Sequence, residues 1–344
     1  MQEAKSSMRK INITVPINSL DELEPLAANG ADEFYCGIIP REWLDCYTYA
    51  VPMNRRLNER ASLSSIDELN RLVKRAHIYS IPVFVTLNAP YYTDSQISYL
   101  IELIKKLYGI GVDGLIISDI GLLLSVKELD IDIDINLSSL ASIHNHEAAS
   151  FYRELEVKRI ILPRHITIAE IRAIKRRIGG MEYEVFILND ACIYEEGFCN
   201  TTHKAGPFCT ARWEYNFFKT DYLPWTDKET DRVSGNLEDF REWGWYMNNC
   251  GSTYSEKGLP NGACGLCAIY DFYKIGISAL KIVGREATLD RKLKSLKMAK
   301  MVIGQIKKGG SKGSVCRYAV EMRNTPELCD SGYMCYYRDA RTKT

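Results

Sequence analysis

Apolar residues in this chain follow two alternating patterns. Short continuous runs predict strands over 11–17, 33–39, 82–87, 114–119, 132–138, 158–163, 183–189 and 279–284. Between them, apolar positions recur at helical spacing. Ile97, Leu100, Ile101, Ile104, Leu107 and Tyr108 form one stripe that ends near Gly109 and Gly111. Past Thr288, Leu289, Leu293, Leu296, Ala299, Ile303 and Ile306 repeat the spacing. Ser19 with Glu22, Ser65 with Glu68 and Thr167 with Glu170 fit the capping box, in which hydroxyl and carboxylate satisfy each other's backbone donors. Parallel strands need crossovers, and helical crossovers are right-handed, so eight such units predict a (β/α)8 TIM-like barrel of the α/β class over 9–308. An open doubly wound sheet is the competitor, but no Gly-x-Gly-x-x-Gly follows the first strand.

Two connections exceed simple turns. Residues 40–64 mix aromatic and basic side chains, as a lid or substrate wall would. Residues 190–278, an insertion between strands seven and eight, hold Trp213, Trp225, Trp243 and Trp245 with Phe217, Phe218 and Tyr222. A small satellite core is the first expectation; rings on which a flat substrate stacks are the alternative. Residues 309–344 form a C-terminal extension with Cys316, Cys329 and Cys335.

Composition narrows the function. Lysine plus arginine equals aspartate plus glutamate, 44 against 44, so no global field draws nucleic acid or an anionic membrane to the surface. The first residues lack the pattern of a secretory signal, and no apolar run approaches the roughly 20 residues of a membrane span. A cytoplasmic protein with no membrane association is expected. Cytosolic thiols stay reduced, so the 11 cysteines point to metal or redox chemistry rather than a disulfide framework.

In EVFILNDACIYEEGFC (184–199), Cys192 and Cys199 follow the seventh strand, at the rim where barrel enzymes carry their working residues. Cys209, Cys250, Cys264 and Cys267 belong to the same insertion. Thiolates repel one another and are costly to bury without a cation, so a convergent group points to a metal or cluster. Structural zinc usually shows two Cys-x2-Cys knuckles, and only Cys264 with Cys267 makes one. The uneven spacing of Cys192, Cys199, Cys209 and Cys267 suits an iron–sulfur cluster better. Cys36 and Cys46 read as buried thiols. So do Cys316, Cys329 and Cys335, with a second metal site that includes Cys250 as the alternative.

The segment from Glu184 to Cys199 resembles the signature of the U32 peptidases, the collagenase-like family: Glu-x-Phe-x2-Gly, a small residue, an aliphatic residue, then Cys-x4-Gly-x-Cys. Asn189 stands where that pattern has glycine. Segments 135–152, 159–171 and 267–286 are also similar to the family, and the likeness runs from about residue 10 to 300. It implies a barrel carrying a 4Fe-4S cluster on Cys192, Cys199, Cys209 and Cys267, with Cys264 as the alternative fourth ligand. Members of the family take part in oxygen-independent hydroxylation of ubiquinone precursors, a transfer-RNA uridine and a ribosomal-RNA cytidine; others are classed as peptidases.

Arg285, Asn88 and Asp190 end strands at the same rim and are the candidate substrate-binding residues. Arg285 could hold a carboxylate or phosphate, or pair with a carboxylate such as Glu286. Asp119 reads as a helix cap. His144 and His146 read as solvated, because a helix start turns them apart. Glu195 and Glu196 are expected to face solvent. The catalytic residues are unassigned. The leading expectation is an iron–sulfur enzyme that hydroxylates, without molecular oxygen, a small aromatic ring or an RNA base, with a partner protein subunit as a further expectation. The alternatives are a collagenase-like peptidase, for instance a Cys192–His144 dyad, and a non-catalytic, cluster-bearing partner subunit.

Overall fold

Eight parallel strands close on themselves in sequence order, β1 to β8, with β8 returning to pair with β1. They are β1 (Asn12–Pro16), β2 (Glu33–Gly37), β3 (Val83–Leu87), β4 (Gly114–Ile117), β5 (Asp134–Leu137), β6 (Arg159–Ile161), β7 (Glu182–Leu188) and β8 (Ala279–Ile282). This computed structural model describes residues 10–47, 51–56, 59–192, 196–198, 214–220, 223–251 and 253–340. Each predicted strand is present, and the (β/α)8 barrel is the fold. Helices cover the strands: α1 (Leu23–Ala28), α2 (Arg41–Tyr47), α3 (Ile66–Ile78), α4 (Asp94–Gly109), α5 (Ile120–Lys127), α6 (His146–Glu154) and α7 (Ile168–Arg177). The long insertion carries α8 (Asp227–Asn249) and α9 (Ile269–Ile275); α10 (Leu289–Lys307), α11 (Lys312–Arg323) and α12 (Pro326–Ser331) follow β8.

The two sides of the sheet do different work. Outward residues such as Val15, Phe34, Val85, Leu115 and Val185 pack against the helices in one large core. Inward residues alternate with them. Tyr35, Phe84, Ile116, Ile161, Phe186 and Val283 fill the barrel as a separate apolar layer. Below that layer, toward the strand starts, the interior is charged. Arg159 holds Glu33 bidentately at 2.6 and 2.9 Å and meets Glu184 at 3.0 Å. Lys281 closes the network, 2.5 Å from Glu184. The partly exposed Glu182 also meets Arg159 at 2.6 Å, so each charge taken out of water finds an opposite charge rather than solvent. Burial alone would raise the Glu33 pKa; its hydrogen bonds and ion pair with Arg159 outweigh that and hold it below the usual carboxylate range.

Helix starts partly follow the expected caps. Thr167 and Glu170 form the full capping box, while Ser65 receives the Glu68 N–H but the Glu68 carboxylate turns to Ser64. The Ser19 box does not form. Its Glu22 instead binds the fully buried Lys292 of α10 at 2.7 and 2.9 Å, because a buried ammonium needs a counter-charge more than an exposed helix end needs a second cap. Boxes form at Thr93 with Gln96 and at Thr226 with Glu229. On α4 the predicted stripe is buried at Leu100, Ile104 and Leu107, whereas Tyr108 is exposed.

In the insertion, α8 has no fully buried residue among those described, and Phe217, Phe218 and Trp245 are exposed. A small satellite cluster does form, with Tyr246 and Met247 of α8 packed on Ala263, Leu328 and Met334, while the exposed rings line a surface. Trp213 and Tyr222 lie outside the described residues. Residues past 309 do not trail away from the barrel. Tyr337 and Ala340 enter the main core, and Asp339 accepts the Ile168 N–H at the start of α7.

Replacing Arg159 by methionine strips Glu33 and Glu184 of their shared partner. The expected loss is about 3–5 kcal/mol of unfolding free energy, read as a lower urea midpoint with an unchanged slope.

Candidate functional site

The carboxyl ends of the strands carry a polar ring above the apolar layer. Arg285, three residues past β8, is buried, and its guanidinium donates to Thr86 Oγ1 and Asn54 Oδ1, each at 2.9 Å. Gly37 leaves room for it: a Cβ there would lie 1.9 Å from Arg285 Nη1. Among the described residues no carboxylate lies within salt-bridge distance of Arg285, so the expected pairing with Glu286 is absent. Burial, reinforced by the like charge of Arg56, lowers the Arg285 pKa to about 10. A guanidinium held by neutral oxygens keeps its attraction for an anion.

The other expected substrate residues have partners in the fold. Asn88 accepts the Arg55 N–H at 3.1 Å and donates to Ser138 Oγ at 3.2 Å, joining the connection after β2 to the end of β5. Asp190 accepts from Arg56 at 2.9 Å, and Arg56 also approaches Glu286 at 3.6 Å. Asn189 and Asp190 both have positive φ, 67° and 38°, which explains the family glycine at the first position: asparagine is among the few other residues that tolerate that region. Asp119 caps α5 through the Leu122 N–H, as expected. His146 begins α6, and His144 Nδ1 lies 3.0 Å from the Ser142 carbonyl oxygen.

Glu196 overturns its expectation. It is 6 % exposed rather than solvated. Ser139 donates to it at 2.5 Å, the Arg164 N–H at 3.1 Å, and the Arg164 guanidinium pairs with it at 2.5 Å. Arg164 in turn lies over the Phe186 ring, 3.8 Å from its centroid. Drawing Glu196 inward presses the next residue against the loop after β5: a Cβ on Gly197 would stand 1.8 Å from Ser142 Oγ and 2.7 Å from the Leu140 carbonyl. That contact is the physical reason for glycine in Cys-x4-Gly-x-Cys. Tyr336 covers the arrangement from the C-terminal segment, donating to the Asn189 carbonyl.

Beside this ring is a cavity of about 370 Å³ lined by Arg164, Cys192, Trp243, Cys335, Tyr336 and others. Cys192 is thus at the mouth. Cys199 and Cys209 lie outside the described residues. A half-buried soft thiol facing a cavity that also presents arginines suits thiolate ligation of an anionic iron–sulfur cluster. Cys267, the expected fourth ligand, and Cys264, its alternative, are gathered with the C-terminal cysteines: the backbone of Cys264 pairs in parallel with that of Cys335, and Cys267 Sγ approaches the Cys316 carbonyl at 3.9 Å. That contact with Cys316, then burial and the neighbouring thiols, push the Cys267 thiol far above its ordinary range. Cys36 is buried, its thiol raised to about 12 by burial, but Cys46 is exposed on α2.

Asn54, Arg164 and Tyr336 were not singled out by sequence, and Glu196 reads there as facing solvent. Arg164 carried a usable signal, since it follows β6 as Arg285 follows β8. Tyr336 carried none, because nothing local tells a chain end to return to the mouth.

Glu196 sets an acid limit on this site. Burial opposes its charge, but Arg164 and Ser139 hold its pKa below the ordinary value. The unfolded state therefore takes up the proton first; the stabilisation is complete above roughly pH 4.3 and is lost as pH falls through the lower folded value. Urea midpoints followed downward from roughly pH 6 should show this loss, and Glu196→Gln should flatten it. The same variant should cost about 3–5 kcal/mol at neutral pH by leaving Arg164 unpaired.

Sequence comparison adds lineage to this geometry. Over 218 residues the chain is 29% identical to the tRNA hydroxylation protein P of Escherichia coli (strain K12), covering 61% of this chain and 45% of that protein. The Haemophilus influenzae tRNA hydroxylation protein P is 30% identical over 214 residues, 60% of this chain and 43% of the relative. The chain thus spans less than half the length of both. The Escherichia coli 23S rRNA 5-hydroxycytidine C2501 synthase is 34% identical over 141 residues, 41% of this chain and 21% of the synthase. The solved structure of the U32 peptidase Mk0906 aligns with a TM-score of 0.43 at 14% identity, over 57% of this chain and 78% of its own. Peptidase family U32 matches residues 18–344, well past the stretch over which the sequence resemblance was read, and the chain belongs to that family.

Proposed function

We propose that this chain is an enzyme that hydroxylates an RNA base without molecular oxygen, with an iron–sulfur cluster at the barrel mouth; the oxygen atom and the two-electron oxidation come from an oxygen-donating organic co-substrate. The observation that carries the reading is Arg285. It is a buried cation, bonded among the described residues to neutral side chains, at the place where a barrel binds its substrate. A nucleotide phosphate supplies the missing charge. The names of the similar proteins, hydroxylation factors for transfer and ribosomal RNA, favour RNA over a small aromatic compound.

Cys192, Cys199 and Cys209 are the proposed cluster ligands, and Cys250, which packs with Ala191 around Ala263, is suited to complete the set in place of Cys267 or Cys264. When bound, the cluster supplies one-electron chemistry. The protein supplies position and charge. Arg285 anchors an anionic group of the substrate, Asn88 and Asn54 fix the wall from which Arg285 is held, and Tyr336 and Arg164 close one side against water. The exposed rings of Phe217, Phe218 and Trp245 offer flat faces for bases beyond the reacting one.

The test is nucleoside mass analysis of RNA from anaerobically grown Escherichia coli lacking both relatives, with and without this chain. A base heavier by one oxygen atom, lost with Cys192→Ser, is expected; unchanged RNA, together with no salt-dependent binding of transfer RNA, defeats the reading. Arg285→Gln should weaken binding of transfer RNA about 10-fold, by removing one buried charge-assisted contact.

A further inference from the structure

Charge is balanced over the whole chain but not locally. From Thr288 to Arg323 stand ten lysines and arginines against two carboxylates, Asp290 and Glu321, although the full sequence has 44 of each sign. This stretch is α10 and α11, which pack against each other. Thr288, three residues past Arg285, caps α10, so the first turn of that helix is at the mouth and its last turn is at the opposite end of the barrel. Its apolar positions, Leu296, Ala299, Val302, Ile303 and Ile306, belong to the main core. The cations therefore take the outer side.

Three of the ten hold the fold together. Lys292 is buried on Glu22, Arg291 donates to the Gly251 and Thr253 carbonyl oxygens, and Arg323 donates to those of Asn261 and Gly262. Three more have an acidic partner near the surface: Lys294 with Asp290 at 2.9 Å, Lys300 with Asp32 at 3.0 Å and Lys312 with Asp271 at 2.8 Å. The remaining four, Lys297, Lys307, Lys308 and Arg317, are exposed, and among the described residues no carboxylate lies within salt-bridge distance of them.

Helix stability does not require this arrangement. Lys294, Lys297, Met301 and Lys308 share one face, and Lys297 stands three residues from both Lys294 and Lys300, a spacing at which like charges repel. A helix arranged only for solubility would alternate its signs there. Lys307 and Lys308 meet the negative end of the α10 dipole, but Lys294 and Lys297 are too far from that end to gain from it. From Lys294 to Lys308 the cations extend about 21 Å along the axis, a length of double helix that carries about a dozen phosphates. At the mouth end the half-exposed Tyr254 ring has Arg291 at 5.4 Å and Lys294 at 5.1 Å from its centroid, which carries the positive charge up to the rim. The face has little to offer a lipid surface. Met301 is the one large apolar side chain exposed on α10 and α11 among the described residues, and a helix lying on a bilayer needs a broad apolar side.

We propose that the outer face of α10, continued by Arg317 on α11, is the surface on which the RNA substrate docks: Lys294, Lys297, Lys307, Lys308 and Arg317 contact phosphates along one side of a folded RNA while its target base enters the mouth. This rests on the reading that the substrate is RNA. The face supplies affinity and register but reads no sequence, because phosphates carry none. It also gives a chain of balanced charge the local field that its overall composition withholds.

The experiment is binding of unfractionated transfer RNA to the full chain over a salt series, followed by fluorescence anisotropy. Two triple variants are compared: Lys297→Ala with Lys308→Ala and Arg317→Ala on the proposed face, and Lys74→Ala with Lys105→Ala and Lys106→Ala on α3 and α4, an equal loss of exposed charge elsewhere. In the first variant the slope of log K against log salt should fall by about two to three, with affinity at low salt weaker by about 10-fold or more; in the second both should stay near the unaltered values. Arg285→Gln separates the mouth from the face, since losing one contact should lower the slope by about one at most. Equal slopes in the two triple variants would overturn the docking surface and leave RNA as the substrate. No salt-dependent binding by the unaltered chain would remove both. Phosphatidylcholine–phosphatidylserine vesicles are the second probe: if the first variant loses vesicle binding and keeps transfer RNA binding, the face belongs to a membrane and the inference is wrong.

Discussion

Everything at the mouth stands on a charged floor inside the barrel. Arg159 clamps Glu33 with both arms of its guanidinium and touches Glu184, which Lys281 neutralises from the far side. These residues come from β2, β6, β7 and β8, so one network ties strands across the interior. An apolar layer could fill the same space, and replacing buried ion pairs by apolar side chains is often neutral or stabilising. What ions add is direction. Each donor must find its acceptor, which fixes the rotation of opposite strands and hence the height at which Tyr35, Phe186 and the polar ring above them sit.

The fold was legible for a simple reason: strands buried on both faces must be apolar runs, and runs such as PVFVTL and ALKIVG survive without knowledge of their neighbours. Charges inside the barrel were not legible, since an inward glutamate in EVFIL looks the same as an outward one. Glu22 shows the same limit. Its spacing from Ser19 fits a local cap, and the distant Lys292 claims it. Glu196 sits between two cysteines in a polar stretch and reads as solvated, yet Arg164 and Ser139 bury it. In each case a long-range counter-charge overrode a sound local rule.

The site was half legible. Arg285, Asn88 and Asp190 lie at the expected rim, but Asn88 and Asp190 are tied into the loops that frame it. Cysteine grouping was harder. Spacing along the chain suggested one convergence, whereas packing sorts the described thiols into Cys192 at the mouth cavity and a set deeper behind Met334, with Cys335 on the wall of both cavities. A wall shared between two cavities is a property of the C-terminal segment's return path, which no local pattern encodes.

That return path has a consequence for the order of events in the cell. A chain emerging from the ribosome can wind all eight strands while Cys335, Tyr336 and Tyr337 are still in the exit tunnel. The scaffold is then finished before its working face is, and the half-made face presents an open seam beside Ala263 and Met247. Order along the chain thus completes the barrel before the segment around Cys335 can cover its mouth.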